Sequence, residues 1–313
     1  MEKIKILGVV GPTASGKTEL AVELAKAYNG EVVSCDSMQI YKHINIATAK
    51  PTEAEMQGIK HHLIDFLDLD KSFSVADFVS LATDCVKDIN DRGKLPVLCG
   101  GTGLYFTSFI DNISFSDSGA DPEYRLELEK RAETEGAEAL LAELAEFDPE
   151  TAAKLHPNNL KRIIRAMEHY KSSGITISEQ NRLSRAVPSP YNPLILGITF
   201  KDREKLYERI NARVDIMLKN GLLDEAEWYF SQKNVATASA AIGYKELGAY
   251  FKGECSLEEA SENLKQETRR YAKRQLTWFR RDKRVHWIYA DELQNGSVLA
   301  DAEKIIEKES FVK

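Results

Sequence analysis

Cysteine is scarce in this chain and scattered: Cys35, Cys85, Cys99 and Cys255, with no C-x-x-C pair. That excludes a disulfide framework, argues against a zinc site, and leaves the four as small buried hydrophobes. No apolar run approaches the ~20 residues that span a bilayer. Behind the N-terminal IKILGVV there is no small-residue cleavage site, so no membrane partner and no secretory leader are expected, and the expected location is cytoplasmic. Internal repeats and low-complexity tracts are also missing. Positive charge is in deficit, with 42 Lys and Arg against 49 Asp and Glu and a net charge of −7. Taken alone, that deficit discourages a nucleic-acid partner. What remains is ordinary: 43% hydrophobic and 29% charged residues exclude a collagen-like or disordered chain. At ~150 residues per domain, the length suggests about two domains.

The distribution of charge reverses the message of its total. Between Lys265 and Arg284 nine Lys and Arg face two acids, whereas between Asp121 and Glu150 eleven acids face three bases. Such asymmetry suggests a polyanion-binding face on an otherwise acidic body.

Strand and helix signals alternate over the first hundred residues. IKILGVV (4–10), EVVSC (31–35), HLIDF (62–66) and LPVLCGG (95–101) read as strands, with helices at 17–27 and from the Ser74/Asp77 capping box to Gly93. This alternation predicts an α/β fold with a doubly wound parallel sheet flanked by helices. From Asp121, acids precede prolines at 121–122 and 148–149, and no strand signal appears before Tyr191. We expect an all-helical insertion over 119–192, splitting a catalytic core into 1–118 and 193–313. The core resumes with a strand at 194–200, helices at 202–220, 222–232, 242–251 and 256–281, and a late strand at 285–290.

The strongest local signal is Gly11-Pro12-Thr13-Ala14-Ser15-Gly16-Lys17-Thr18, a full G-x-x-x-x-G-K-[ST] between strand and helix. Its backbone N–H groups suit a diphosphate, Lys17 adds a point charge, and the Thr18 hydroxyl suits Mg²⁺ as cofactor. Such a loop identifies a phosphate ligand and not a reaction. Asp36 ends the second strand, where open sheets place ligands, and is followed by Ser37, Met38 and Gln39, whose hydroxyl and amide suit a base edge. Asp36 could instead cap its own turn. Gly100-Gly101-Thr102-Gly103 is a further strand–helix turn that would bring Thr102 beside the phosphate loop. Arg209 and Arg213 share a helix face, suited to diphosphate or merely solvated. Arg270, Lys273, Arg274, Thr277, Arg281 and Arg284 form a helical stripe that suits a phosphate backbone or water. Lys161-Arg162-Ile163-Ile164-Arg165 offers a second basic face in the insertion.

Together the blocks GPTASGKT, DSMQIYKHINIATAKP, GGTGLY, LHPNNLKRIIRAME and TRRYAKRQLTWFRR resemble the tRNA dimethylallyltransferase family, along essentially the whole chain. The resemblance implies transfer of a dimethylallyl group from dimethylallyl diphosphate to N6 of the adenosine 3′ of the anticodon, position 37, with diphosphate leaving. It implies Asp36 as the base on N6, Thr102 at the leaving oxygen and Arg213 against diphosphate charge. Ser37 to Gln39 and Lys161 to Arg165 would meet the tRNA anticodon stem-loop, the latter through a clamping insertion. His61 lies in a resembling block without an assignable role. A monomer with no obligate protein partner is expected. A P-loop kinase of a small metabolite, a prenyltransferase of free adenine nucleotides and a silent tRNA-binding protein are the competing readings.

Overall fold

The computed structural model describes residues 3–115, 121–232, 235 and 241–312. The chain forms two compact units, Met1–Ile110 with Pro190–Lys313, and Asp111–Ser189. The boundary expected between 118 and 119 lies outside the described residues.

The first unit is built on six parallel strands: β1 (Ile4–Val10), β2 (Gly30–Ser34), β3 (His61–His62), β4 (Leu95–Gly100), β5 (Tyr191–Thr199) and β6 (Val285–Tyr289). Their order is β3-β2-β4-β1-β5-β6. β1, β2 and β4 are apolar runs because helices cover both faces. On one face, α1 (Lys17–Ala27) and α14 (Val298–Lys308) bury Leu20, Leu24, Ala302 and Ile306 against Leu7, Val9, Val97 and Ile198. The other face is covered by α3 (Val75–Asp91), α4 (Gly103–Ile110), α10 (Arg203–Lys219), α11 (Leu222–Ser231), α12 (Tyr244–Phe251) and α13 (Leu257–Phe279). A short α2 (Glu53–Met56) precedes β3. Capping boxes at Ser74/Asp77 and Ser256/Glu259 open α3 and α13 as their spacing predicts, each contributing ~1 kcal/mol. β1 lies between β4 and β5, with Val10 level with Gly100 and Gly197. The strand order reverses there, so the loop after β1 opens at a topological switch point, where this architecture binds ligands.

Three elements differ from the sequence reading. The strand expected at 62–66 is only His61–His62, because Leu63 and Asp65 take left-handed φ angles of 57° and 56° and turn the chain away from β2. β5 starts at Tyr191 rather than 194 and runs through Pro193. β6 joins β5 only from Ile195, so Pro193 sits where the strand has one neighbour and its missing N–H costs nothing. α13 ends at Phe279, which leaves Arg281 and Arg284 off the helical stripe, and Arg284 folds onto Asp282 at 2.7 Å.

The second unit is helical: α5 (Pro122–Glu135), α6 (Ala137–Phe147), α7 (Pro149–Ala152), a 3₁₀ turn at Pro157–Asn159, α8 (Leu160–Ser173) and α9 (Ile177–Ala186). Asp121 and Asp148 cap the helices that begin at the following prolines. Leu128, Leu140, Leu144, Ile163, Ile164 and Met167 form its core.

Candidate active site

After β1 the chain enters the phosphate-loop motif. Gly16 takes a φ of 94° and opens α1 without a side-chain cap, so the first-turn N–H groups keep their donors for a ligand. Ala14, not a glycine, holds a left-handed φ of 63°. Such strain costs ~1 kcal/mol or more and persists only where neighbours fix the backbone. Here the fixing bond comes from α10: Arg209 Nε donates to the Ala14 carbonyl at 2.9 Å. A second brace comes from α13. Gln275 Oε1 accepts the Thr13 N–H at 2.8 Å while its Nε2 donates to the Gly101 carbonyl at 3.0 Å. One buried amide thus ties the phosphate loop to the glycine turn after β4. Lys17 Nζ lies 3.3 Å from the Pro12 carbonyl, and desolvation pulls its ammonium below the usual lysine range. The Ser15 hydroxyl is buried with no hydrogen-bond partner among the described residues.

The second wall begins where β2 runs on past its last strand residue. Cys35 N–H donates to the Cys99 carbonyl at 2.7 Å and Thr102 N–H to the Cys35 carbonyl at 3.2 Å. A Cβ on Gly100 would lie 2.0 Å from the Cys35 oxygen, so glycine there lets the two strand ends meet. Asp36 Oδ1 accepts from Met38 N–H at 2.9 Å and Gln39 N–H at 3.3 Å. Its carboxylate therefore caps its own turn, and the residue also lines the cavity. Ser37 N–H donates to Thr102 Oγ1 at 3.0 Å. The Gln39 amide is spent inside the protein, its Nε2 donating to the carbonyls of Thr48 (3.2 Å) and Ala49 (3.0 Å).

Between the walls is a cavity of about 310 Å³. Thr13, Ala14, Lys17 and Thr18 line it from the phosphate loop, and Asp36, Ser37, Met38 and Gln39 from the turn after β2. Arg213 enters from α10, with Val214, Met217, Leu222 and Leu264 as apolar lining. Desolvation lowers the Arg213 pKa, and no ion pair holds the guanidinium among the described residues. Burial pushes the Cys99 thiol up to about 12, so it lines the cavity as a neutral group. His61 also reaches the cavity. Its Nδ1–H donates to the Ile59 carbonyl at 2.9 Å, which leaves Nε2 an acceptor, buried without a partner among the described residues.

Not every candidate stands at the cavity. Gly11, Pro12, Ser15 and Gly16 frame the loop behind its lining residues. Thr102 is outside the lining, and its hydroxyl braces the Asp36 turn through Ser37. Of the basic stripe, Arg274 lines the cavity, Arg270 pairs with Glu267, and Lys273 is exposed. In the helical unit Lys161, Arg162 and Arg165 are exposed on α8, with no ion-pair partner among the described residues. Ile163 and Ile164 are buried in that unit's core, so the expectation that they touch tRNA is corrected: their side chains fix the helix face that displays the three cations. Among the cavity residues that the sequence reading did not single out as site residues are Tyr271 and Gln275. Their signal was present. They fall with Leu264, Thr268, Ala272 and Phe279 on one seam of α13, where an amide among buried positions marks a polar partner elsewhere.

Comparison with known proteins bears on this geometry. The IPP transferase family model matches residues 39–282. The tRNA dimethylallyltransferase of Caldanaerobacter subterraneus subsp. tengcongensis is 49% identical over 301 residues, covering 95% of this chain and 96% of its own. The crystal structure of the full-length tRNA isopentenylpyrophosphate transferase from Bacillus halodurans is 46% identical, with a TM-score of 0.70 over 99% of this chain and 95% of that one. A eukaryotic dimethylallyltransferase acting on tRNA, 28% identical, reaches a TM-score of 0.81 over 97% of this chain and 78% of its own. On a family match over most of its length and near-half identity across nearly all of it, the chain belongs to the IPP transferase family.

Proposed function

We propose that this chain transfers a dimethylallyl group from dimethylallyl diphosphate to N6 of the adenosine 3′ of the anticodon, position 37, in tRNA. The observation that carries the reading is one cavity lined by two cations, Lys17 and Arg213, together with a carboxylate, Asp36. An exocyclic aromatic amine is a weak nucleophile, whereas an allylic diphosphate ionises readily once its leaving charge is stabilised. Preorganised charge at the diphosphate should therefore supply the larger share of catalysis. The first-turn N–H groups of α1, Lys17 and Arg213 would hold that charge. N6 attacks the allylic carbon, the carbon–oxygen bond breaks with its electron pair going to diphosphate, and the proton leaving N6 passes to Asp36. Asp36 Oδ1 already accepts two backbone N–H groups, so Oδ2 is the oxygen for that proton.

A divalent cation would fit the site in the manner of phosphate-loop proteins, since Thr18 lines the cavity with a hydroxyl that can act beside phosphate oxygens. Thr18 would hold it, and it would supply further neutralisation of the leaving charge. Lys161, Arg162 and Arg165 would contact the anticodon stem-loop, since reading a splayed loop base demands backbone contacts around it. The test is mass spectrometry of an unmodified anticodon stem-loop incubated with the protein, Mg²⁺ and dimethylallyl diphosphate, with ATP in a parallel tube. One added C₅H₈ unit on the loop adenosine is the expected result. No adduct, with ADP appearing in the ATP tube, would make the chain a kinase.

A further inference from the structure

The wall of the cavity after β2 depends on a residue far from it in sequence. Residues 44–50 form a tight turn closed by Ala49 N–H to the Ile46 carbonyl and Lys50 N–H to the Asn45 carbonyl, both at 2.9 Å. His43 before it and Ala49 within it take left-handed φ angles of 68° and 51°, conformations that survive only where neighbours over-determine them. In this turn three successive N–H groups point to one place, and Glu225 of α11 occupies it. Oε2 accepts from Asn45 at 2.7 Å and Ile46 at 2.8 Å, and Oε1 accepts from Ala47 at 2.9 Å. The buried Tyr244 hydroxyl donates to Oε1 at 2.8 Å. Among the described residues four donors and no acceptor bond to this group, so a carboxylate satisfies them all and an amide cannot. From that turn Ala47, Thr48 and Ala49 line the cavity, and the Thr48 and Ala49 carbonyls hold the Gln39 amide. Gln39 N–H in turn binds Asp36.

We propose that Glu225 is a positioning residue for the transfer reaction: by gathering the N–H groups of Asn45, Ile46 and Ala47 it fixes the cavity wall that carries Gln39 and aims Asp36. This rests on the transfer reading for its kinetic arm and on nothing but the hydrogen bonds for its structural arm. Tyr244 is the helper on the carboxylate, and its phenol is held protonated by burial and by Glu225 itself.

The experiment compares Glu225→Gln, Glu225→Asp and the wild-type chain in three measurements. Amide hydrogen exchange at residues 45–47 should quicken in Glu225→Gln. Steady-state transfer to an anticodon stem-loop should show kcat falling about tenfold to a hundredfold, the cost of a misplaced reacting group, with partial rescue in Glu225→Asp. Binding of inorganic diphosphate should stay within about twofold of wild type, since the phosphate loop is braced by Arg209 and Gln275 and not by Glu225. Faster exchange with unchanged kcat would reduce Glu225 to a structural residue and overturn the proposal, as would unchanged exchange. Loss of diphosphate binding together with kcat would also overturn it, since the effect would then be general unfolding. If the wild-type chain transfers nothing, the transfer reading fails, while the exchange arm still decides whether Glu225 holds the turn.

Discussion

The two walls of the cavity are made by opposite uses of the same backbone group. In the phosphate loop the N–H groups at the start of α1 carry no side-chain cap, and the braces, Arg209 and Gln275, attach mainly from behind. In the facing wall the N–H groups are consumed one after another: Ser37 by Thr102, Met38 and Gln39 by Asp36, and Asn45, Ile46 and Ala47 by Glu225. A wall with spare donors attracts an anion, and a wall whose donors are spent presents carboxylate and carbonyl oxygens to a donor such as an amine. The polarity of the reaction is thus built into the bookkeeping of main-chain hydrogen bonds, before any side chain titrates.

Substitutions that strike one wall should separate the two chemistries. The largest effect is expected from Asp36→Ala, which should lower kcat by about 10²–10⁴-fold, the usual range for a lost general base, while tRNA binding survives. Measurement of single-turnover transfer beside RNA affinity checks it. Arg213→Ala removes a cation that α10 brings to the cavity and should cost about 10²–10³-fold in kcat, read together with weakened diphosphate binding. Gln275 lines the cavity and ties the phosphate loop to the glycine turn, so Gln275→Leu should disturb both walls. The substitution strands the Thr13 N–H and the Gly101 carbonyl, so about tenfold in kcat/KM is expected from a loss of ~1–3 kcal/mol, with both substrates affected. Replacing Lys161, Arg162 and Arg165 with Ala leaves both walls intact. The slope of log affinity against log salt for the stem-loop should then fall by about 2, at ~0.7 per lost contact, while kcat is retained.

A control at the other end of β2 should leave transfer alone. Glu31 is buried among Arg92, Lys94 and His62, and these partners hold its carboxyl far below the usual range. A depressed folded-state pKa contributes stability that is present above the ordinary glutamate pKa and is lost as pH falls below it. Glu31→Ala should therefore cost at most about 3 kcal/mol near neutral pH, less toward acid, because the partner cations are partly exposed. Urea denaturation at several pH values reads that sign.

What the sequence revealed follows from the range of each interaction. β1, α1 and the capping boxes were legible because their determinants are local: an apolar run, a glycine turn, Ser and Asp three apart. Lys17 was legible because the phosphate-loop motif fixes its place at the start of α1, and Asp36 because it follows the apolar run of β2. The division of labour between Arg209 and Arg213 was not, since spacing puts both on one face of α10 and only the fold decides that one braces Ala14 while the other faces the cavity. Glu225 was beyond reach altogether. Its partners are main-chain N–H groups 178 to 180 residues away, and a main chain carries no residue-specific signal. The basic stripe was read too long for a related reason: helical periodicity cannot see that the chain turns after Phe279.

The separation of the two walls is the central claim, and calorimetric titration of inorganic diphosphate into the wild-type chain, Lys17→Ala and Asp36→Asn tests it most directly. Lys17→Ala should lose most of the binding. Asp36→Asn should bind diphosphate at least as tightly as wild type, since a negative charge has left the cavity, while transferring almost nothing to the stem-loop. If Asp36→Asn lost diphosphate as severely as Lys17→Ala, the two walls would be one site and the account would be wrong.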